Sequence, residues 1–554
     1  MKHHVSMPGL VLLLLLLTAW DRPSLGVHPQ SSFPPTRFRG LPAGRGVHSN
    51  PSGTTAAEPS AFDFARAADR NSDPSPCDAS LQSMVEAAPA GSVLKVPPCI
   101  YRQTVSVDKS LTFVGEPGAE IRGSDVWSTG WTRDEGYWVH SDLPHFHPGG
   151  LCRKGTQRCR WPEQVFYDGK ALLHVEENPT SGQFSVRNGI LLIADDPSGH
   201  LVEVTTRTRW IDIRSNDVTI QGFTMRHCAN AAQTGGVNSQ GHSNISIVEN
   251  SLSEAHGALV YIVDASNAQI LRNDLARAGQ LGVGLSGVSN SLVRGNRIHE
   301  NNTDDFSGGW EAGGLKSATR SNTVTVEDND VYLNRGPGIW FDGDCQDISI
   351  RKNRVHDNEF HGIQYEISYA AKLYENAVWN NGWGSHVWGW GAGILIQNSN
   401  KVEVYGNILA WNAHGISVIE QERPPDHFVT EVSVHDNTIV MEDAFEAWAL
   451  AWLTDFKPSR IFDIESQNHA QSNRYGYSGN SEVNSHGRFA WGGRSYKNLA
   501  DFASTPAGKD SAYLSRSEQD QALAAAGIPL SPGAKWGATS PPGLTGTLSP
   551  PRSN

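Results

Sequence analysis

The sequence predicts an all-β chain: a right-handed parallel β-helix that carries an inserted antiparallel β subdomain. Three observations predict it. First, an asparagine recurs at Asn250, Asn273, Asn296, Asn329, Asn353, Asn376, Asn407 and Asn437, mostly in steps of 23 or 24 residues. Second, three short apolar-alternating runs surround each asparagine, with no helix-period pattern among them. Third, a polar turn and a glycine precede each third run, as in "NTVTVEDNDVYLNRGPGIWFDGDC" and "QDISIRKNRVHDNEFHGIQYEISY". A period of this length built only from strands is the mark of coils stacked into a solenoid. Stacked asparagines can hydrogen-bond from coil to coil, which accounts for one per turn. The Leu-x-x-Leu-x-Leu spacing of a leucine-rich repeat is absent, and a propeller blade needs a longer period.

The elements follow in chain order. Residues 1–26 read as a secretory signal: Lys2, His3 and His4, then an apolar run from Gly9 to Trp20, then small residues up to a cleavage after Gly26. That apolar run is too short to span a bilayer. Residues 27–75 are rich in Pro, Ser, Gly and Ala and read as a disordered linker. Residues 76–126 hold the first coils. Residues 127–209 break the repeat with hairpin-like runs such as "QVFYDGKALLHV" and "GILLIADD", joined by Asp-Gly and Asn-Gly turns. Coils resume over 210–450, where the long steps Asn296 to Asn329 and Asn376 to Asn407 imply inserted loops. Residues 451–534 are the last coils plus "SRSEQDQALAAAG", a helix expected to cover the open end. Residues 535–554 read as a disordered tail.

Composition narrows the partners. The chain has 554 residues, a net charge of −13, 55 glycines and 17 tryptophans. An acidic chain makes a poor nucleic-acid binder, because phosphate binding needs a basic face. Many tryptophans suit a carbohydrate partner, on whose rings they stack. No later stretch could span a membrane, so the mature protein is expected to be secreted or periplasmic. The six cysteines fit that compartment. Cys77 with Cys99, and Cys152 with Cys159, are the expected disulfides. Cys228 and Cys345 are expected as buried thiols. No cysteine spacing suits zinc.

Side chains alternate in and out along a strand, and equivalent positions of neighbouring coils stack about 4.8 Å apart. Counted from the glycine of each third strand, Leu315, Ile339, Ile363, Ile394 and Ile416 should point inward. Lys316, Trp340, Gln364, Leu395 and Ser417 should point outward. Two residues further, Asp342, Glu366 and Gln397 should form a second outward column. Two acids that close repel, so one tends to stay protonated. That is the division of labour of a retaining glycosidase, with an ionised nucleophile and a protonated acid. The inserted loops bring Trp310 and Glu311 on one side and Trp383, His386, Trp388 and Trp390 on the other. Of these, Glu311, His386, Trp388 and Trp390, with Lys316, Trp340, Gln364 and Gln397, are the expected substrate-binding set.

The segments "GIWFD" and "GIQYEISYAAKLYENAVWNNG" resemble the catalytic region of the right-handed β-helix β-xylosidases of glycoside hydrolase family 120, themselves pectate-lyase-like solenoids. The resemblance covers roughly sixty residues in detail and the rest only in architecture, including the early antiparallel insertion. It implies Asp342 as nucleophile, Glu366 as acid/base, and no cofactor. Residues 367–371, "ISYAA", stand where that family has a His-Gly-Pro turn. A second expectation is a polysaccharide lyase or C5-epimerase acting on uronic acids. Lys316 would then be the base, and Glu311, Asp342 and Glu366 would gather Ca²⁺. A third is a non-catalytic glycan-binding solenoid.

Overall fold

The computed structural model describes residues 77–536, apart from 78, 148, 385, 424–426, 443–446 and 479–486. The expected signal, the expected linker and the expected tail beyond Trp536 lie outside the described residues. Lys535 and Trp536 lie against the solenoid: Lys535 pairs with Glu442 at 2.5 Å, and the Trp536 indole donates to the Asp357 carbonyl at 2.8 Å.

Three long sheets of 12, 13 and 13 strands run along the molecule, and successive coils add one strand to each. Their strands pair in parallel, except for a terminal hairpin on one of the 13-stranded sheets. The chain is a right-handed parallel β-helix. Its interior is one continuous apolar column, from Leu81 and Val85 at one end to Phe489 and Phe502 at the other.

The corners explain why the asparagines recur. The residue before each ladder asparagine is left-handed, for example Asp328, Lys352 and Glu375 at φ +56°, +55° and +55°. This sharp turn leaves backbone groups facing inward, where they need partners. The asparagine supplies them. Asn329 donates to the Val293 carbonyl at 3.0 Å and to Asn353 Oδ1 at 2.9 Å, and accepts from the Asn296 backbone at 2.9 Å. The ladder continues one rung beyond the expected set, to Asn473. A second ladder, Asn301, Asn334, Asn358, Asn381 and Asn412, lines the next corner in the same way.

The insertion forms two small sheets. Ser124–Val126 pairs antiparallel with Val202–Thr205, and Gln183–Arg187 with Ile190–Ile193. One pair, Leu173–His174 on Gln183–Arg187, is parallel. The ends of the solenoid are closed differently from expectation. The helix Leu81–Ala87, capped by Ser80, plugs the first coil. The helix Arg516–Ala525 forms, with a capping box between Ser515 and Glu518, but it does not cover the other end. It buries only Gln519 and Leu523, too narrow a face to seal a core. Leu523 packs instead on the flank, against Trp379, Ala410 and Trp411. The end is filled by Phe489, Trp491, Leu499 and Phe502.

Both expected disulfides are present, and Cys228 and Cys345 are free and buried. No helix among the described residues is long and apolar enough to cross a membrane.

Candidate active site

The 13-stranded sheet that contains Gly313–Ala318, Ile339–Phe341 and Ile363–Glu366 carries the acids. Lys316 pairs with Trp340, and Trp340 with Gln364, in strict register. Phe341 pairs with Tyr365, and both are fully buried in the core. The next residue of each strand therefore points outward, and those residues are Asp342 and Glu366. Gly362 starts its strand at a tight corner. A Cβ there would lie 2.6 Å from the Gly393 carbonyl oxygen and 2.9 Å from the Asn381 amide, so only glycine fits.

The two acids have different surroundings. Asp342 lies 3.1 Å from Lys316 Nζ, and 26 % of its side chain is exposed. Lys316 also donates to the Trp310 carbonyl at 2.8 Å and sits 3.4 Å from the Trp340 ring centroid. Its charge is thus held on three sides. Glu366 is only 7 % exposed. Its Oε1 accepts from Arg423 Nη2 at 2.8 Å and its Oε2 from Gln364 Nε2 at 2.9 Å. Burial pushes the Glu366 carboxyl up, and the Asp342 charge pushes it further. The Arg423 and Lys316 charges pull the other way. The balance leaves Glu366 at about 7. One acid stands beside an ammonium, and the other is poised to hold a proton near neutral pH.

A disulfide loop walls this face. Cys152 and Cys159 pack with Phe306, Trp310 and Ala312 of the loop before the Lys316 strand. Arg153 grips Glu359 with two bonds of 2.6 Å, and Arg158 reaches Asp304 at 3.0 Å. The loop therefore fixes Trp310, whose carbonyl holds Lys316.

The structure brings Lys316, Trp340, Asp342, Gln364 and Glu366 together. Others of the expected set lie elsewhere. Glu311 points to earlier coils, where its carboxylate accepts from Tyr261 at 2.9 Å and Gln233 at 2.5 Å. With both oxygens engaged there, Glu311 does not join the two acids. Among the described residues no three His, Cys, Asp or Glu converge as a metal-sized group. His386 is exposed and turned to the Trp383 carbonyl at 3.1 Å, so it is no hydroxyl or acid partner at this pair. Trp388 and Trp390 cover Ala392, Leu395 and Ile419, further along the sheet. Gln397 is the next rung after Glu366, but its amide donates to Gln421 at 3.0 Å.

Arg423 was not readable from the repeat. It sits in a loop, outside any strand register, and only folding brings it to Glu366. A second local feature also escapes the pattern. Ile367, directly after Glu366, has φ +45°, where neighbouring coils place Gly343 and Asn398. A β-branched residue there is a backbone outlier, of the kind that clusters at functional sites.

These features define a right-handed parallel β-helix with a paired-carboxylate face, and comparison places the fold among known ones. A family model described as "Right handed beta helix region" matches residues 235–409. No curated protein matches the chain in sequence. Among solved structures, XylC in complex with xylose is similar over 74% of this chain and 82% of its own, with TM-score 0.57 and 15% identity. The A-module of the mannuronan C-5 epimerase AlgE6 from Azotobacter vinelandii is similar over 78% of this chain and 92% of its own, with TM-score 0.42 and 11% identity. At 15% identity the likeness to XylC is one of fold.

Proposed function

We propose that the protein is a glycoside hydrolase that works by a retaining double displacement. The observation that carries this is the unequal acid pair: Asp342 ion-paired to Lys316 at 3.1 Å, and Glu366 buried on the adjacent coil and pushed up to about 7. Adjacent coils sit about 4.8 Å apart, close to the carboxyl separation of roughly 5–5.5 Å that retaining enzymes use. The fold likeness to XylC, solved with xylose, supports a xylosidase-like substrate.

In the first step the Asp342 carboxylate attacks the anomeric carbon. The glycosidic C–O bond breaks, and Glu366 gives its proton to the leaving oxygen. Glu366, now a carboxylate, takes a proton from water. The resulting hydroxide displaces Asp342 from the sugar and restores both groups. The Lys316 ammonium, 3.1 Å from Asp342 Oδ2, holds that carboxylate in position for attack. Gln364 and Arg423 orient Glu366 through its two oxygens.

The test is a panel of aryl glycosides with wild type, Asp342→Asn and Glu366→Gln. The expected result is a loss of about a hundredfold or more in each variant on the substrate that wild type turns over. Near-wild-type turnover in both variants sinks the proposal. A lyase or epimerase would instead act on uronic polymers, with a lyase releasing an ultraviolet-absorbing unsaturated product. Lys316 is poorly placed to be its base, because its Nζ is already engaged by Asp342 at 3.1 Å and by the Trp310 carbonyl at 2.8 Å.

A further inference from the structure

Beyond Glu366 the same outward column continues through Gln397, Ile419 and Leu453, one coil at a time. Three coil steps carry it about 14 Å from the acid pair. There the sheet holds a depression of about 310 Å³, with Trp388 and Trp448 among its walls, Leu453 and Ala490 in its floor, and Arg494 and Ser495 at its rim.

Several features build this depression. Gly389 has φ +83°, and a Cβ there would lie 2.5 Å from Leu453 Cδ1. Glycine thus lets the Trp388–Trp390 loop lie down on the sheet. Trp448 stacks on His414 at 5.5 Å, and its backbone N–H donates to His414 Nδ1 at 3.2 Å, which fixes the indole. The Trp448 indole N–H is buried and meets no acceptor. That nitrogen is closed off from solvent, so what Trp448 offers the depression is its ring. The Gly492-Gly493 hairpin, both residues left-handed, brings the exposed Arg494 to the rim. Flat apolar faces beside scattered donors match a sugar ring, which has C–H faces and a hydroxyl edge. Continuity with the acid column favours a glycan over any other occupant.

We propose that this depression is a distal sugar subsite, so that the substrate is a glycan chain laid along the solenoid axis rather than one terminal sugar. The proposal rests on the hydrolase reading of the acid pair and deepens it. The span from Glu366 to Leu453 exceeds one sugar ring; Leu395, Gln397 and Ile419 between them are buried, with Trp388 and Trp390 over Leu395 and Ile419, so the chain spans the two sites across the outer face of that loop.

The test uses the full chain carrying Glu366→Gln, titrated with short and long oligosaccharides from xylan, glucan and mannan. Intrinsic tryptophan fluorescence and calorimetry read the binding. One series should bind roughly tenfold or more tighter as long chains than as disaccharides. Trp448→Ala and, separately, Arg494→Ala should erode that advantage. Arg494 is exposed, so its variant guards against a folding defect, which a melting curve checks. Equal affinity for long and short chains, no binding of any series, or an advantage kept in both variants overturns the proposal. The two readings fail separately. Wild type that binds long chains here but cleaves no glycoside sinks the hydrolase reading and keeps the subsite. Wild type that cleaves aryl glycosides with no preference for length sinks the subsite and keeps the hydrolase.

Discussion

Arg423 places its Nη2 2.8 Å from Oε1 of Glu366, a residue 57 positions earlier in the chain. The guanidinium favours the ionised form of Glu366, yet burial and Asp342 outweigh it and leave the carboxyl at about 7. If Glu366 is the proton donor, kcat/KM must fall as pH rises through about 7, because the acid is then lost. Arg423→Met removes a charge that opposes protonation. The alkaline limb should move up by roughly one pH unit. A pH–rate profile on an aryl glycoside checks this. A limb that stays in place or moves down contradicts the assignment of Glu366.

The same group makes stability depend on pH. In the unfolded chain the Glu366 carboxyl titrates at 4.5, and in the folded protein at about 7. The folded state therefore holds a proton that the unfolded state releases between those values. Its contribution is fully present below about 4.5 and is lost as pH rises through about 7. Glu366→Gln stays neutral throughout. The melting temperature of the variant relative to wild type should rise across this window and level off above it. A difference that is flat with pH, measured by thermal melts at matched ionic strength, contradicts the buried, proton-holding state.

Cys152 and Cys159 close a short loop, so their bond should add only about 2–3 kcal/mol to stability. Its effect on activity should be larger than that suggests. The loop packs on Trp310, and the Trp310 carbonyl holds Lys316 at 2.8 Å. The double variant Cys152→Ser, Cys159→Ser should remain folded with a modestly lower melting temperature. Its kcat should fall by about tenfold, since loosening a group that orients catalysis costs rate even at a distance. A variant with lower melting temperature and unchanged kcat shows that the loop is only structural.

The fold was legible because its information is periodic. One asparagine per coil, with alternating strands between, specifies register, and register alone sets Asp342 beside Glu366. The column of Lys316, Trp340 and Gln364 follows from the same count. What escaped lies outside the period. Arg423 comes from a loop with no coil equivalent. Glu311 and His386 sit in loops whose positions near the acids in sequence say nothing of where their side chains turn: Glu311 meets Tyr261, and His386 meets the Trp383 carbonyl. The helix Arg516–Ala525 was readable as a helix from its composition and the glycine that stops it, but its docking place was not. That choice depends on the apolar patch of Trp379, Ala410 and Trp411, contributed by separate coils. The second ladder escaped for another reason. Asn301, Asn334, Asn358, Asn381 and Asn412 lie five residues after rungs of the first ladder, among polar turn residues that mask their period.

The ladder itself makes the sharpest stability prediction. Asn329 is 1 % exposed. Its side chain donates to the Val293 and Glu327 carbonyls, both at 3.0 Å, and to Asn353 Oδ1 at 2.9 Å. Its Oδ1 accepts from the Asn296 backbone and amide, both at 2.9 Å. Asn329→Leu fills a similar volume but takes the acceptor from the Asn296 N–H and a donor from the Val293 and Glu327 carbonyls, of which Glu327 keeps the Gly295 N–H at 3.2 Å. Each orphaned group costs about 1–3 kcal/mol, so a total of roughly 3–5 kcal/mol is expected after partial relaxation. The turn also loses support, because Asp328 at φ +56° is held in place by the bonds its neighbour makes. The end rung is a control. Asn473 pairs with Asn437 on one side, but on the other its backbone meets a part-exposed Ser511 hydroxyl rather than another asparagine. Asn473→Leu should therefore cost less than Asn329→Leu. Urea unfolding of both variants measures the difference. Hydrogen exchange should show loss of protection at Asn296 and Asn353, the coils on either side, before more distant coils open. A cost for Asn329→Leu below about 1 kcal/mol, or equal costs at the two rungs, would mean that apolar stacking holds the coils together and the asparagines only decorate the corner.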